Sequence, residues 1–76
     1  MSIAVFKKYE DGFYSFLFED GVEINFEEIH PKALYKYNLK EDESYVDQSF
    51  KLKFSEVFDE RITNSIIYRI DSLVLL

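Results

Sequence analysis

Apolar and polar residues alternate on both sides of a glycine turn near the start of the chain. After Asp20-Gly21, three apolar residues alternate with polar ones as far as Phe26, and an apolar-rich run from Phe13 to Phe18 precedes the turn. A period of two is typical of β-strands with one buried face, and Asp-Gly favours the positive φ of a tight turn. The pattern predicts a β-hairpin.

The same alternation predicts five strands in all. Strand 1 covers 2–8, strand 2 covers 13–19 and strand 3 covers 22–28, and a second Asp-Gly pair joins the first two strands. Strand 1 has apolar residues on both faces, which is typical of a strand buried on both sides. Strand 4 covers 49–58 and strand 5 covers 65–75. Broken alternation predicts a bulge or strand end at 56–58, and Ser72 predicts a second bulge.

A short amphipathic helix is predicted after His30-Pro31. Proline suits the first turn of a helix and cannot donate to a sheet ladder. Ala33, Leu34 and Tyr37 fall on one side of this helix, and lysines at four-residue spacing fall on the other. The polar stretch 41–48 that follows predicts a surface loop.

The order strand, strand, strand, helix, strand, strand predicts a mainly β domain spanning residues 1–76. This order matches a small five-stranded OB-like Greek-key barrel with one short helix between strands 3 and 4. An SH3-like barrel, in which the helix shrinks to a 3₁₀ turn, is the first alternative. An open sheet with one face covered by the helix is the second. The match lies in the order of the elements and not in a sequence motif.

The charge and composition narrow the classes of partner. Nine basic and fifteen acidic residues leave a net charge of −6, which opposes nucleic-acid binding because phosphate contacts need a positive field. The chain has no cysteine and no apolar stretch close to the ~20 residues of a membrane span. Its first residues do not resemble a signal peptide. We expect a cytoplasmic protein that is not embedded in a membrane.

Candidate catalytic residues are scarce, and we expect neither an enzyme nor a bound metal or cofactor. His30 is the sole histidine and precedes a proline at a predicted helix start, so a structural or capping role is the better interpretation. The acidic pairs fall mostly in predicted turns and lack the ligand spacing of an EF-hand. No glycine-rich phosphate loop is present.

Apolar residues on both faces of strands 2 and 5 predict an interaction surface. Its candidate residues are Phe13, Leu17, Ile67, Val74 and Leu76. The predicted function is therefore a small acidic protein-interaction module that binds another protein or itself.

The alternative is OB-type binding of single-stranded nucleic acid, which uses exposed aromatic rings beside basic side chains. The stripe that would carry it comprises Tyr14, Lys51, Lys53, Tyr68 and Arg69. Glutamates on the outward face of strand 3 and acidic residues in the bordering loops oppose this reading, because negative charge repels phosphate.

Overall fold

A computed structural model describes residues 1–58 and 66–76 of the chain. Its elements in chain order are β1 (Ser2–Glu10), β2 (Phe13–Phe18), β3 (Glu23–Phe26), β4 (Glu28–Ile29), α1 (Pro31–Lys36), a 3₁₀ turn (Glu43–Tyr45), β5 (Ser49–Phe58) and β6 (Ile66–Leu75). The predicted order of strands and helix is confirmed at this level.

The turn between β1 and β2 forms as the sequence predicts. Asp11 and Gly12 have φ of 53° and 85°, which is the pair of positive values that a type I′ hairpin turn requires. Glu10 and Phe13 close the turn as paired residues. Gly21 also has a positive φ, 86°, in the β2–β3 turn. Both glycines therefore serve the backbone geometry of their turns.

The predicted third strand is divided into two, and the prediction of five strands is wrong in this respect. β3 pairs antiparallel with β2, whereas β4 pairs parallel with β6. Glu27 separates them, and its N–H donates to the carbonyl oxygen of Tyr68 over 3.2 Å. At this residue the chain stops pairing with β2 and begins to pair with β6.

All six strands belong to one sheet with the order β3-β2-β1-β5-β6-β4. Over the described ranges β3 and β4, which end this order, do not pair with each other, and the sheet is not closed into a barrel. The result is a compact, mainly β domain with a Cα radius of gyration of 11.9 Å, and its described residues form one short α-helix. In the same ranges no helix is long and apolar enough to cross a membrane.

Aromatic rings fill the core on the inner side of the sheet. Phe16 is fully buried and lies with its ring centroid 5.3 Å from Phe6, 5.8 Å from Phe26 and 6.0 Å from Phe50. Tilted and edge-to-face pairs of this kind add about 0.5–1.5 kcal/mol beyond burial alone. The aromatic cluster thereby supplies the stability that a chain without disulfides needs.

Helix α1 is shorter than its amphipathic pattern suggests. It ends at Lys36, because Tyr37 is already extended with φ of −130°. Ala33 and Tyr37 are buried, but Leu34, which the sequence places with them, is 38% exposed. A helix of six residues has fewer than two turns at 3.6 residues per turn. It therefore covers the core with only part of the predicted apolar face.

Tyr37 also ties the helical segment to the last strand. Its hydroxyl oxygen accepts a hydrogen bond from the N–H of Leu75 at 3.0 Å. We expect Tyr37→Phe to lower the free energy of unfolding by about 1 kcal/mol, because a backbone donor loses its partner while the ring stays in place. Urea denaturation followed by circular dichroism measures this loss. An unchanged midpoint would contradict the stabilising role of the hydroxyl.

Bulges shift the pairing register in two pairs of strands. The register between β1 and β2 shifts at Lys7, whose Nζ lies 2.6 Å from Oδ1 of Asp47. The register between β5 and β6 shifts at Asp71, one residue before the predicted bulge at Ser72. Pairing continues without interruption to Phe58 and Ile66, so the described part of the sheet has no bulge at 56–58, and β5 ends at Phe58, within the range predicted for a bulge or strand end. Cross-strand contacts there outweigh the broken alternation.

Candidate interaction surface

The outer side of the sheet carries two rows of residues that run across the strands. In one row Leu17 of β2 pairs with Val5 of β1, which pairs with Ser49 of β5. In the next row Ile3 of β1 pairs with Lys51 of β5, which pairs with Val74 of β6. Paired residues in adjacent strands point to the same face of a sheet. These rows therefore form one continuous surface.

Five apolar side chains of these rows and of the adjoining C-terminus define a surface that we call the outer patch. Its members are Ile3, Val5, Leu17, Val74 and Leu76. Ile3 is 40% exposed and Val74 is 43% exposed, whereas Val5 and Leu17 are half-buried. Leu76 is 63% exposed, and its N–H donates to the carbonyl oxygen of Ser49. Apolar groups from three strands and the C-terminus thus meet on one exposed face.

Three of the five residues predicted for an interaction surface lie in the outer patch, and two do not. Phe13 shares the outward face of β2 with Leu17 but lies at the opposite end of the strand, beside Glu10 and Asp11. Ile67 is only 5% exposed, so it is not available to a partner. Alternation predicts which face of the strand Ile67 lies on, but it does not predict whether that face is buried at this residue.

Sequence reasoning missed Ile3 and Val5, which complete the outer patch. Apolar residues on both faces of strand 1 suggested burial on both sides, but only Ala4 and Phe6 lie in the core. The opposite face of β1 remains at the surface, where Ile3 is exposed and Val5 is half-buried. The two-sided apolar pattern of β1 was the signal that could have identified these residues.

The centre of the outer patch carries exposed lysines, and an arginine–aspartate ion pair lies beside it. Lys51 is exposed between Ile3 and Val74, and Lys53 follows on the same face. Arg69 donates from Nε to Oδ1 of Asp71 over 3.0 Å. The patch therefore presents lysine ammonium groups on a protein that is acidic as a whole.

The environment of Asp71 favours its charged form. Partial burial raises the pKa of this carboxyl group, but hydrogen bonds from Ser55 and Arg69 and the positive charges of Arg69 and Lys53 outweigh it. The net result is a pKa below the ordinary value of 3.8. The carboxylate consequently stabilises the fold where it is ionised.

Asp71→Asn is expected to lower stability at neutral pH by about 0.5–1 kcal/mol, a modest loss since the ion pair is partly solvated. Because the folded pKa lies below the unfolded one, the stabilisation is present above the unfolded pKa and disappears as pH falls through the folded pKa. Urea denaturation of both proteins as a function of pH measures the difference. Glu41→Gln removes an exposed carboxylate as a control, and a pH-independent difference would contradict the assignment.

The stripe considered for nucleic-acid binding is divided between the two faces of the sheet. Tyr14 is 6% exposed, and its ring packs 4.7 Å from that of Tyr9 in the interior. The ring of Tyr68 packs edge-on against Phe26, whereas Lys51 and Lys53 project from the outer face. Stacking on a base requires an open ring face beside the basic groups. This arrangement does not bring the five residues of the stripe together.

His30 acts as the cap of helix α1. Its Nδ1 accepts a hydrogen bond from the N–H of Lys32 at 3.2 Å, and its own N–H donates to the carbonyl oxygen of Ile70. The capping role predicted from the His-Pro pair is confirmed. In residues 1–58 and 66–76, no three histidine or carboxylate side chains converge in a way that could hold a metal ion.

One surface depression lies away from the outer patch. It runs between β1 and the segment 39–46 and is lined by side chains of both charges, including Lys8, Lys40, Glu41 and Glu43. Lys40 lies over the ring of Tyr9, with Nζ 5.2 Å from the ring centroid. Ammonium and carboxylate groups of similar number share its walls, so its charge favours no single class of ligand.

The chain was compared with protein-family models, with curated proteins and with solved structures. None of the three comparisons finds a match.

Proposed function

We propose that this protein is a non-enzymatic interaction module that binds another protein through the outer patch. The observation that carries the proposal is the exposure of Ile3, Val74 and Leu76, at 40%, 43% and 63%, on one continuous face. Exposed apolar side chains that cluster rather than scatter are typical of protein-binding surfaces. The role of His30 as a helix cap is consistent with a structural use of the residue that would best suit general acid–base chemistry.

The chemistry of the outer patch favours a partner with an apolar surface and a carboxylate. Lys51 lies between Ile3 and Val74, so docking would remove water from its ammonium group. A buried cation is costly unless an anion pairs with it. A second copy does not meet this need, because a two-fold contact over the patch brings Lys51 toward its own counterpart. The net charge of −6 on each copy adds further repulsion.

Affinity capture with wild-type protein and two charge variants tests the proposal. Val74→Glu places a carboxylate in the outer patch, and Tyr35→Glu places one at a remote helical residue that is 95% exposed. We expect a partner that is retained by wild type and Tyr35→Glu and lost by Val74→Glu. Calorimetry with the purified partner should show at least tenfold weaker binding for Val74→Glu and for Lys51→Glu.

Other results would overturn the proposal. Equal retention of every bound protein by wild type and Val74→Glu would exclude the outer patch as the binding surface. Sedimentation of the purified protein distinguishes self-association, since a dimer that Val74→Glu dissociates would make a second copy the occupant. A titration with mixed-sequence single-stranded DNA and RNA at low salt, followed by amide shifts, would reveal nucleic-acid binding instead.

The proposal extends to the fold, which we assign to an OB-like Greek-key arrangement in preference to an SH3-like one. The order of elements supports it, with α1 between β4, which is the second part of the predicted third strand, and β5. An OB-fold is a partly open barrel, and Glu27, the residue after β3, donates its N–H to the carbonyl oxygen of Tyr68 in β6. Short proton–proton distances between Asn25 and Ile66 in solution would support this closure, and their absence would favour an open sheet.

A cytoplasmic location is also proposed. The chain contains no cysteine, and a small protein that relies on its core alone is compatible with a reducing compartment. Fluorescence imaging of the tagged full chain tests this. A signal found only at a membrane or outside the cell would contradict it.

A further inference from the structure

One side of strand β5 is paired over only part of its length. β1 pairs with β5 from Ser49 to Leu52, whereas β6 pairs with it from Phe50 to Phe58. Across the ranges 1–58 and 66–76, the segment from Phe54 to Phe58 therefore has a neighbouring strand on one side only. We call its other side the β5 edge. Unpaired strand edges are templates for the addition of a further strand.

The hydrogen-bond pattern identifies which backbone groups face the β5 edge. The N–H of Phe6 in β1 donates to Gln48, while the carbonyl oxygen of Ser49 accepts from Leu76 on the β6 side. Successive residues of a strand direct their N–H and C=O groups to opposite neighbours. Even-numbered residues of β5 therefore face the β1 side. The donors and acceptors without a strand partner in residues 1–58 and 66–76 belong to Phe54, Glu56 and Phe58.

Side chains at the β5 edge combine apolar and acidic character. Phe54 packs with its ring 5.7 Å from that of Phe18, and Phe58 is 72% exposed. Glu56 lies between them on the same face of the strand and is exposed. Glu19 and Asp20 line a depression together with the first residues of β1. An incoming strand would meet rings near both ends of the edge and a carboxylate in the middle.

We infer that the β5 edge accepts an extended segment of a partner, antiparallel to β5, with a basic side chain between two apolar ones at alternating positions. The apolar side chains lie opposite Phe54 and Phe58, and the basic one lies opposite Glu56, since directly paired residues share a face. Backbone hydrogen bonds to Phe54, Glu56 and Phe58 supply affinity, and the alternating side chains supply specificity. This site is separate from the outer patch, and the inference does not depend on whether the outer patch binds a partner.

A second copy of the chain is a poorer occupant of the β5 edge. Two β5 edges paired antiparallel about a two-fold axis at Glu56 would place the two Glu56 carboxylates directly opposite each other. Like charges in such pairs are destabilising, and each copy carries a net charge of −6. A basic segment relieves both repulsions. Charge complementarity therefore selects a basic partner strand.

A seven-residue peptide, capped at both ends, provides the probe. It has threonine at odd positions, isoleucine at the second and sixth positions and lysine at the fourth. The matched control has the same side chains but carries a methyl group on the backbone nitrogen of the two isoleucines and of the lysine. These methyl groups remove the backbone donors that would face β5. Amide hydrogen exchange of the labelled full chain is measured with millimolar probe, with the control and with neither.

We expect the amides of Phe54, Glu56 and Phe58 to exchange rapidly in the free protein. The probe should slow their exchange at least about tenfold, and the N-methylated peptide should not. Glu56→Pro should abolish the effect, because proline removes an edge donor that does not serve the β6 ladder. Glu56→Gln, which keeps the donor and loses the charge, should weaken binding severalfold. Thermal unfolding of each variant verifies that it is folded.

Four results would overturn the inference. Slow exchange of the three amides in the free, dilute protein would mean that the chain itself covers the edge. Protection that rises with protein concentration would make a second copy the occupant. No protection at millimolar probe would exclude strand addition. Equal protection by the probe and its N-methylated control would reduce the effect to charge attraction.

Discussion

Replacing Phe16 with alanine is expected to remove most of the free energy of unfolding of this protein at room temperature. Phe16 is 0% exposed, and its ring contacts those of Phe6, Phe26 and Phe50 in the centre of the core. Truncation of a buried phenylalanine costs about 3–5 kcal/mol, from the lost transfer free energy and the cavity that remains. A small single domain has a total stability near the low end of about 5–15 kcal/mol. One substitution therefore removes most of it.

Urea denaturation followed by far-ultraviolet circular dichroism measures this loss. Phe16→Leu, which fills most of the cavity, should cost about 1–2 kcal/mol. Tyr35→Ala removes an aromatic ring that is 95% exposed and should change stability by less than about 0.5 kcal/mol. If Phe16→Ala retained the wild-type midpoint, the central position of this ring would be wrong.

Proline at two adjacent residues of β5 is expected to lower stability by very different amounts. Ser55 pairs with Arg69 and directs its backbone groups toward β6, whereas Glu56 directs its own toward the β5 edge. Ser55→Pro removes a ladder donor and should cost about 2–4 kcal/mol. Glu56→Pro removes a donor with no strand partner in the described residues, and should cost about 1 kcal/mol or less.

Thermal denaturation of both variants tests this contrast. Two control substitutions measure the part of each effect that comes from the lost side chain. Ser55→Ala measures the loss of the hydroxyl that hydrogen bonds to Asp71, and Glu56→Gln measures the loss of charge alone. Equal destabilisation by the two prolines would contradict the alternating direction of the backbone groups along β5. It would also remove the geometric basis of the strand-addition site.

The sequence predicted much of the secondary structure because that information is local. Alternation predicts strand 4 at 49–58 and strand 5 at 65–75, and the observed bounds are Ser49–Phe58 and Ile66–Leu75, with residue 65 outside the described residues. Alternation and turn residues act within a few positions along the chain. His30 was also interpreted as a structural residue from its position alone. These features need no knowledge of which strands are neighbours.

Part of the outer patch was also accessible to sequence reasoning. Alternation placed Leu17 and Val74 outward, and both lie there. It could not separate Ile67, which is 5% exposed, from Val74, which is 43% exposed. Periodicity assigns a residue to a face of its strand, but exposure depends on what packs over that face. The same reason explains why Ile3 was not recognised as an exposed residue.

The amino-acid sequence by itself determined the turns, the strand periodicity, the capped helix start and the acidic charge of this protein. Only the tertiary structure decided that the chain changes strand partner at Glu27, that bulges fall at Lys7 and Asp71, and where β5 is left with one neighbour. These features depend on the register between segments distant in sequence. Such a register is set by the packing of both faces at once, so no local pattern specifies it.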